Sequence, residues 1–260
     1  MNTGVTLTIG EMSPDQIFKD YARHIGIGGI ATAGIIGIVK SFGVIKSALG
    51  LAASEFSRKK SGAEAEVIRT QRDLSMKIVV IGIVITLAVV FGFFAIGVVD
   101  NIWHAVVGVL IVGIIAFLFT TVAANAIAIV GSNPVSGMTL MTLILSSLVL
   151  VSIGLEGTSG MIAALVIGGV VCTALSMAGG FITDLKVGYW LGTTPKKQQI
   201  GEVLGVVASA LAIGGTLYLL DSAWGFGSQE LGAPQATLMK MIIEGVMENN
   251  LPWGLVIIGA

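Results

Sequence analysis

A long apolar run without charged residues occupies the middle of this chain and limits the folds open to it. The run covers residues 104–154, and no charged residue follows His104 within it. A membrane-spanning helix needs about 20 apolar residues, so the run has the length of two spans. Between them lies the segment 131–139, where Pro134 interrupts helical structure because proline lacks an amide hydrogen and disfavours helical geometry at the preceding residue. The sequence therefore predicts two membrane spans joined at a helix break.

The helix break has two interpretations, and the sequence alone leaves both open. In the first, it is a tight hairpin between two spans. In the second, it is a broken helix that binds substrate, because unpaired backbone groups at membrane depth are tolerated where they are buried in protein or line a wet cavity. The second interpretation gives this candidate substrate-binding set: Asn133, Pro134, Ser136, Gly137, Met138 and Thr139.

The composition agrees with a helical integral membrane protein. Of the 260 residues, 55% are hydrophobic and 11% are charged, whereas soluble domains carry about 25% charged residues. The net charge of −1 lacks the positive excess that is typical of nucleic-acid-binding proteins. Cys172 is the one cysteine, and the two histidines have no metal-ligand spacing. We predict an all-α integral membrane protein, a multi-span bundle with interrupted helices, and no bound metal or cofactor.

Apolar segments separated by polar joints predict the other spans and their orientation. The predicted spans are 24–48, 78–99, 104–130, 138–154, 160–182 and 199–220, with the start of a further span at 251–260. The strongly polar stretch 51–77 is interpreted as a solvated helical loop. Lysine and arginine are concentrated in 51–77 and in the joint 183–198, which places both on the cytoplasmic side of the cell membrane. Because the last segment is about half a span long, we expect a fragment of a longer protein.

The predicted first span is rich in glycine. Residues 26–31 match the spacing of a dinucleotide-binding fingerprint, but no strand is predicted before them and the surroundings are a membrane span. We therefore interpret these glycines as positions where another helix approaches closely. A second small-residue face, Gly201, Gly205 and Ser209, is also predicted to pack against a helix.

Three carboxylates outside the helix break are candidates for coupling transport to an ion. Asp184 follows the fifth predicted span, in a stretch that is otherwise explained as a cytoplasmic elbow. Glu244 and Glu248 lie opposite an apolar face on a helix predicted within 231–253. That helix is either an interfacial amphipathic helix or part of a larger bundle in which its carboxylates face a cavity.

Several of these stretches resemble the oligopeptide transporter (OPT) family, which includes the yellow-stripe-like metal-chelate transporters. The matching segments are 133–139 (NPVSGMT), 183–189 (TDLKVGY), 191–201 (LGTTPKKQQIG), 232–236 (GAPQA) and 251–253 (LPW). The resemblance implies a proton-coupled secondary transporter that imports oligopeptides or peptide-like metal chelates. It also implies a protein with more than twice the spans seen here, so that this bundle is expected to be a partial transporter fold. Peptide versus chelate, the coupling ion and the oligomeric state stay open.

Secondary transport competes with two other classes of function. An intramembrane enzyme would need two catalytic groups together at membrane depth, whereas Asp100 and Asp184 lie at opposite ends of predicted spans. A non-transporting structural subunit leaves the helix break unexplained. The sequence contains no P-loop for ATP. We therefore expect a secondary transporter and no enzyme, with the lipid bilayer, the substrate, protons and the remainder of the transporter as partners.

Overall fold

The computed structural model of the chain is built from α-helices and describes residues 8–58, 68–99, 101–133, 135–228, 230–248 and 251–260. Its α-helices are α1 Pro14–Ile17, α2 Arg23–Lys40, α3 Phe42–Arg58, α4 Met76–Gly97, α5 Ile102–Val130, α6 Val135–Ser152, α7 Gly157–Leu191, α8 Pro195–Trp224, α9 Pro234–Met247 and α10 Trp253–Gly259. Short 3-10 turns at Ile9–Glu11 and Arg69–Gln71 and a π turn at Phe18–Ala22 complete the helical structure. No strand occurs in the described ranges, which confirms the predicted all-α class.

Five described helical segments are long and apolar enough to cross a membrane. They are Asp20–Lys40, Arg69–Gly97, Ile102–Val130, Gly157–Leu191 and Pro195–Trp224. A sixth apolar segment, Gly137–Ser152, is shorter. Many large apolar side chains on these helices are exposed, as expected for helices that are apolar on all sides and face lipid. The chain is a multi-pass membrane protein.

The core of the bundle surrounds α6. Each of residues 138–143 exposes 5% or less of its surface. The helix packs against α7, α2 and α9, while α5 packs along α7. The buried hydroxyl groups of Thr139, Thr142 and Ser146 donate hydrogen bonds to carbonyl oxygens of α6 itself. Because each of these hydroxyl groups has a hydrogen-bond acceptor within its own helix, the apolar core can contain these polar residues.

Close backbone contacts between α2 and α10 explain the glycines of the first predicted span. A Cβ atom at Gly28 would overlap the carbonyl oxygen of Val256, and one at Gly259 would overlap the carbonyl oxygen of Ile25. No side chain fits where two helix backbones approach this closely. The expectation that another helix approaches these glycines is confirmed.

We expect Gly28→Ala to lower the free energy of unfolding by about 1–3 kcal/mol, the usual cost of overpacking, because its methyl group meets a backbone oxygen. Gly37→Ala is the matched control, since this position in the same helix has open space around a Cβ atom. Its Tm should stay unchanged or rise slightly, because alanine favours the helix. Thermal unfolding of both variants in detergent measures the difference, and equal melting temperatures would contradict this account of the contact.

Helix boundaries differ from the predicted spans at two places. Helix α7 continues past the predicted span 160–182, so the non-helical part of the joint 183–198 is only the turn between α7 and α8. Gly192 ends α7 in the left-handed conformation with φ of 68°, and Pro195 begins α8. The predicted span 24–48 contains two helices, because the backbone leaves helical geometry at Ser41.

Candidate functional site

The predicted helix break is a turn between α5 and α6. Gly131 closes α5 in the left-handed conformation with φ of 76°, a geometry that favours glycine. Nδ2 of Asn133 donates a hydrogen bond of 3.0 Å to the carbonyl oxygen of Leu175 in α7. A Cβ atom at Gly179 would overlap Nδ2, so the glycine provides the space for this contact. The amide of Asn133 therefore joins the turn to α7.

The other predicted substrate-binding residues fall at the start of α6. Gly137 and Met138 pack inside the bundle. Thr139 is 1% exposed, and its hydroxyl group donates a hydrogen bond to the backbone of its own helix. Pro134 lies outside the described residues, as does the side chain of Ser136. Of the described members of the set, Thr139 is the one that borders the groove between α7 and α8.

This groove has a volume of about 700 Å³ and is bordered by α6 and α9 as well as by α7 and α8. Its volume lies within the range of small-molecule sites, about 300–1,000 Å³. Apolar side chains form much of the wall. The polar side chains and the thiol on the wall are Thr139, Cys172, Thr173, Ser176, Glu202 and Ser209. The groove therefore combines an apolar surface with separate hydrogen-bonding groups, as ligand sites commonly do.

Glu202 supplies the carboxylate of the groove and stands beside Asp184. The two carboxyl groups are close enough to interact with each other. Both residues also line a second cavity of about 410 Å³ between α7 and α8. Next to them, Nε2 of Gln198 donates a hydrogen bond of 3.0 Å to the carbonyl oxygen of Asp184. The predicted coupling candidate Asp184 thus has a partner on α8 that the sequence analysis did not identify.

Of the other coupling candidates, Glu244 lies on α9 and Glu248 directly follows its last residue. The apolar face predicted for this helix is present, and Ile242 and Ile243 are 0% and 1% exposed. This face packs against α6 and α7, so protein covers it in the described structure, as predicted for a helix that belongs to a bundle. Glu244 pairs with Lys240 at 3.5 Å, and Glu248 is exposed at the helix end. Neither carboxylate is among the residues that line the groove.

A segment that precedes α4 holds the first turns of α8. Arg69 Nη2 donates a hydrogen bond to the Gly192 oxygen (2.9 Å), and the Lys196 amide donates one to the Arg72 oxygen (2.8 Å). The side chain of Gln199 makes two more: its Oε1 accepts from the Leu74 amide (2.7 Å), and its Nε2 donates to Asp73 Oδ1 (3.0 Å). The later described part of the polar stretch 51–77, from residue 68 onward, is therefore bound to the turn between α7 and α8, whereas residues 51–58 belong to α3. Residues 59–67 of that stretch lie outside the described residues.

Among the described residues, no helix packs on Gly201 or Gly205 of the small-residue face of α8, which the sequence predicts to be a packing face. Gly201 and Gly205 both have open space around a Cβ atom, so no described helix packs on them. Gly205 and Ser209 line the groove, and Gly201 lines the smaller cavity next to it. Small side chains on this face leave room between α7 and α8.

Comparison with known proteins identifies the family. The profile of the family described as "OPT oligopeptide transporter protein" matches residues 3–260. A Haemophilus influenzae protein named "Putative oligopeptide transporter" is 30% identical over 271 aligned positions, which cover 94% of this chain and 42% of that relative. The chain thus spans less than half the length of the relative, and no solved structure matches it. The match over nearly the whole chain confirms the resemblance found in the sequence: this chain belongs to the OPT oligopeptide transporter family.

Proposed function

We propose that this protein forms part of a secondary transporter that imports oligopeptides or peptide-like metal chelates, and that the groove between α7 and α8 is its substrate path. The observation that carries the proposal is the position of Glu202 on the wall of a groove between two apolar helices. Ionisable residues within membrane-spanning helices are rare, and those that line a cavity usually mark substrate or ion routes. The hydroxyl groups of Thr173, Ser176 and Ser209 add hydrogen-bonding partners along the same groove.

Within this proposal the helix-break residues have separate tasks. Thr139 contacts the substrate, since it borders the groove. Asn133 positions the turn through its hydrogen bond to α7, and Gly137 and Met138 position the start of α6 within the core. This proposal combines the hairpin and broken-helix interpretations: one residue of the motif would bind substrate while the others fix the backbone.

We propose protons as the coupling ion and the carboxyl pair of Asp184 and Glu202 as their binding place. Two neighbouring charged carboxylates repel each other, and a proton shared by them removes that repulsion. Because Glu202 also borders the groove, a bound proton and a bound substrate act on the same side chain. Glu244 is the weaker candidate, since it already has Lys240 as its partner.

Cys172 provides a direct test of the substrate path, because it is the one cysteine in the chain and lines the groove. We expect a transported peptide or chelate to slow the alkylation of Cys172 by a maleimide, since the bound substrate covers the thiol. Mass spectrometry of the purified protein measures the rate of alkylation.

The control places the thiol outside the groove, in Cys172→Ala combined with Ser222→Cys. Ser222 is exposed near the end of α8 and does not line the groove. Substrate should leave the alkylation rate of this thiol unchanged. If peptides and chelates shown to bind the protein fail to protect Cys172, the groove is not the substrate path.

A pair of substitutions separates substrate contact from positioning in the helix-break motif. Thr139→Val removes the hydroxyl group at nearly constant volume and should weaken substrate binding by up to about tenfold, the value of one hydrogen bond. Asn133→Ala should lower the free energy of unfolding by about 0.5–1.5 kcal/mol and leave the Kd of the folded protein unchanged. Binding affinity and thermal stability measured on both variants test the assignment, and the reverse pattern would exchange the two roles.

A further inference from the structure

We propose that the junction between residues 69–77 and the turn from α7 to α8 binds the headgroups of anionic phospholipids. This inference does not rest on the proposed transport function. It rests on the charge, the exposure and the fixed geometry of the junction, which we call the basic patch. Its cationic residues are Arg69, Arg72, Lys77, Lys186, Lys196 and Lys197, and all six are exposed.

The fold brings these cations together from two stretches that are far apart in the sequence. The amide of Lys196 donates to the carbonyl oxygen of Arg72 at 2.8 Å, and the guanidinium of Arg69 donates to the carbonyl oxygen of Gly192 at 2.9 Å. The side chain of Gln199 adds two further hydrogen bonds to the same segment. Because these hydrogen bonds join the two stretches, their cations are gathered into one patch at the end of α7 and the start of α8.

Among the residues that the structure describes, the carboxylates near the basic patch leave its charge largely uncompensated. Asp73 accepts a hydrogen bond from Gln199, and Asp184 and Glu202 face each other. Within the described ranges, none of the six cations forms an ion pair with a carboxylate. Six cations against three carboxylates in the same two stretches give the junction a net positive charge, which favours an anionic partner.

Two exposed aromatic side chains indicate that this partner is a lipid. Tyr189 and Trp190 are 76% and 71% exposed at the end of α7, a position that water alone would not favour. The Nζ atom of Lys186 lies 5.7 Å and 5.3 Å from their ring centroids. Tyrosine and tryptophan commonly lie at the headgroup level of a bilayer. Clusters of basic residues directly beside a membrane helix attract anionic lipids. A cationic patch at the same level as aromatic anchors therefore fits a phospholipid headgroup.

Native mass spectrometry of the full-length protein, titrated with phosphatidylglycerol or phosphatidylcholine, tests the proposal. We expect phosphatidylglycerol to bind more tightly. The double variant Lys196→Gln/Lys197→Gln should weaken its binding by about 20- to 30-fold, since each cation near an anionic surface contributes about a factor of five. Its affinity for phosphatidylcholine should not change. The Tm of the variant in detergent should match that of the original protein, because both side chains are exposed.

The matched control, Lys40→Gln/Lys46→Gln, also removes two exposed lysines but leaves the basic patch intact. It should keep the original affinity for phosphatidylglycerol. An equal loss of affinity in both double variants would show attraction by net charge alone and would overturn the proposal. Displacement of the lipid by inorganic phosphate at comparable concentration would also overturn it, because the patch would then be a site for a soluble anion.

Discussion

Glu202→Gln is expected to reduce proton-driven uptake by about tenfold or more, the effect of removing a single interaction of about 1.4 kcal/mol or larger. The amide keeps the shape of the side chain in the groove but can no longer take up and release a proton beside Asp184. Asp184→Asn should have a similar effect, since it removes the other half of the pair. Yield and Tm should stay near those of the original protein, because both residues stand at the open space between α7 and α8.

Two measurements on the full-length protein in proteoliposomes separate coupling from substrate binding. Uptake driven by a proton gradient should be lost in Glu202→Gln, while exchange of labelled for unlabelled substrate without a gradient should continue. Glu244→Gln is the control, because this carboxylate pairs with Lys240 and does not line the groove. Normal gradient-driven uptake by Glu202→Gln, with a loss in Glu244→Gln, would move the coupling site to α9.

Local sequence signals were sufficient for the fold class and for the helix break. Apolar segments of span length predicted a multi-span helical bundle, and the described chain has that architecture. Proline and glycine predicted the interruption near residue 133, and α5 and α6 end and begin there. These features depend on residues close together in the chain, so composition and spacing are enough to find them. The family match supports the prediction of a transporter, since OPT is a transporter family and not an enzyme family.

Contacts between helices could not be predicted from these local signals. The hydrogen bond from Asn133 to Leu175 and the pairing of Asp184 with Glu202 depend on how α6, α7 and α8 pack. One signal for Glu202 was present, because a carboxylate within the predicted span 199–220 is itself unusual at membrane depth. The apolar face of α9 was predicted correctly, but periodicity cannot show whether lipid or protein covers such a face.

Gly205→Trp is expected to abolish uptake by filling the groove. Gly205 lines the groove and has open space around a Cβ atom, so the indole ring can enter without displacing backbone. Gly214→Trp is the matched control. Gly214 also has open space, does not line the groove, and lies about two and a half turns further along α8, on the opposite side of the helix.

Uptake by proteoliposomes, measured together with yield and Tm, tests whether the groove is the substrate path. If the groove is the substrate path, Gly205→Trp should fold normally and transport nothing, whereas Gly214→Trp should transport at the original rate, because its indole ring faces away from the path. The Gly205→Trp variant should also protect Cys172 from alkylation without any substrate present, since the ring occupies the space beside the thiol. Full uptake by a stable Gly205→Trp protein would place the substrate path elsewhere in the bundle.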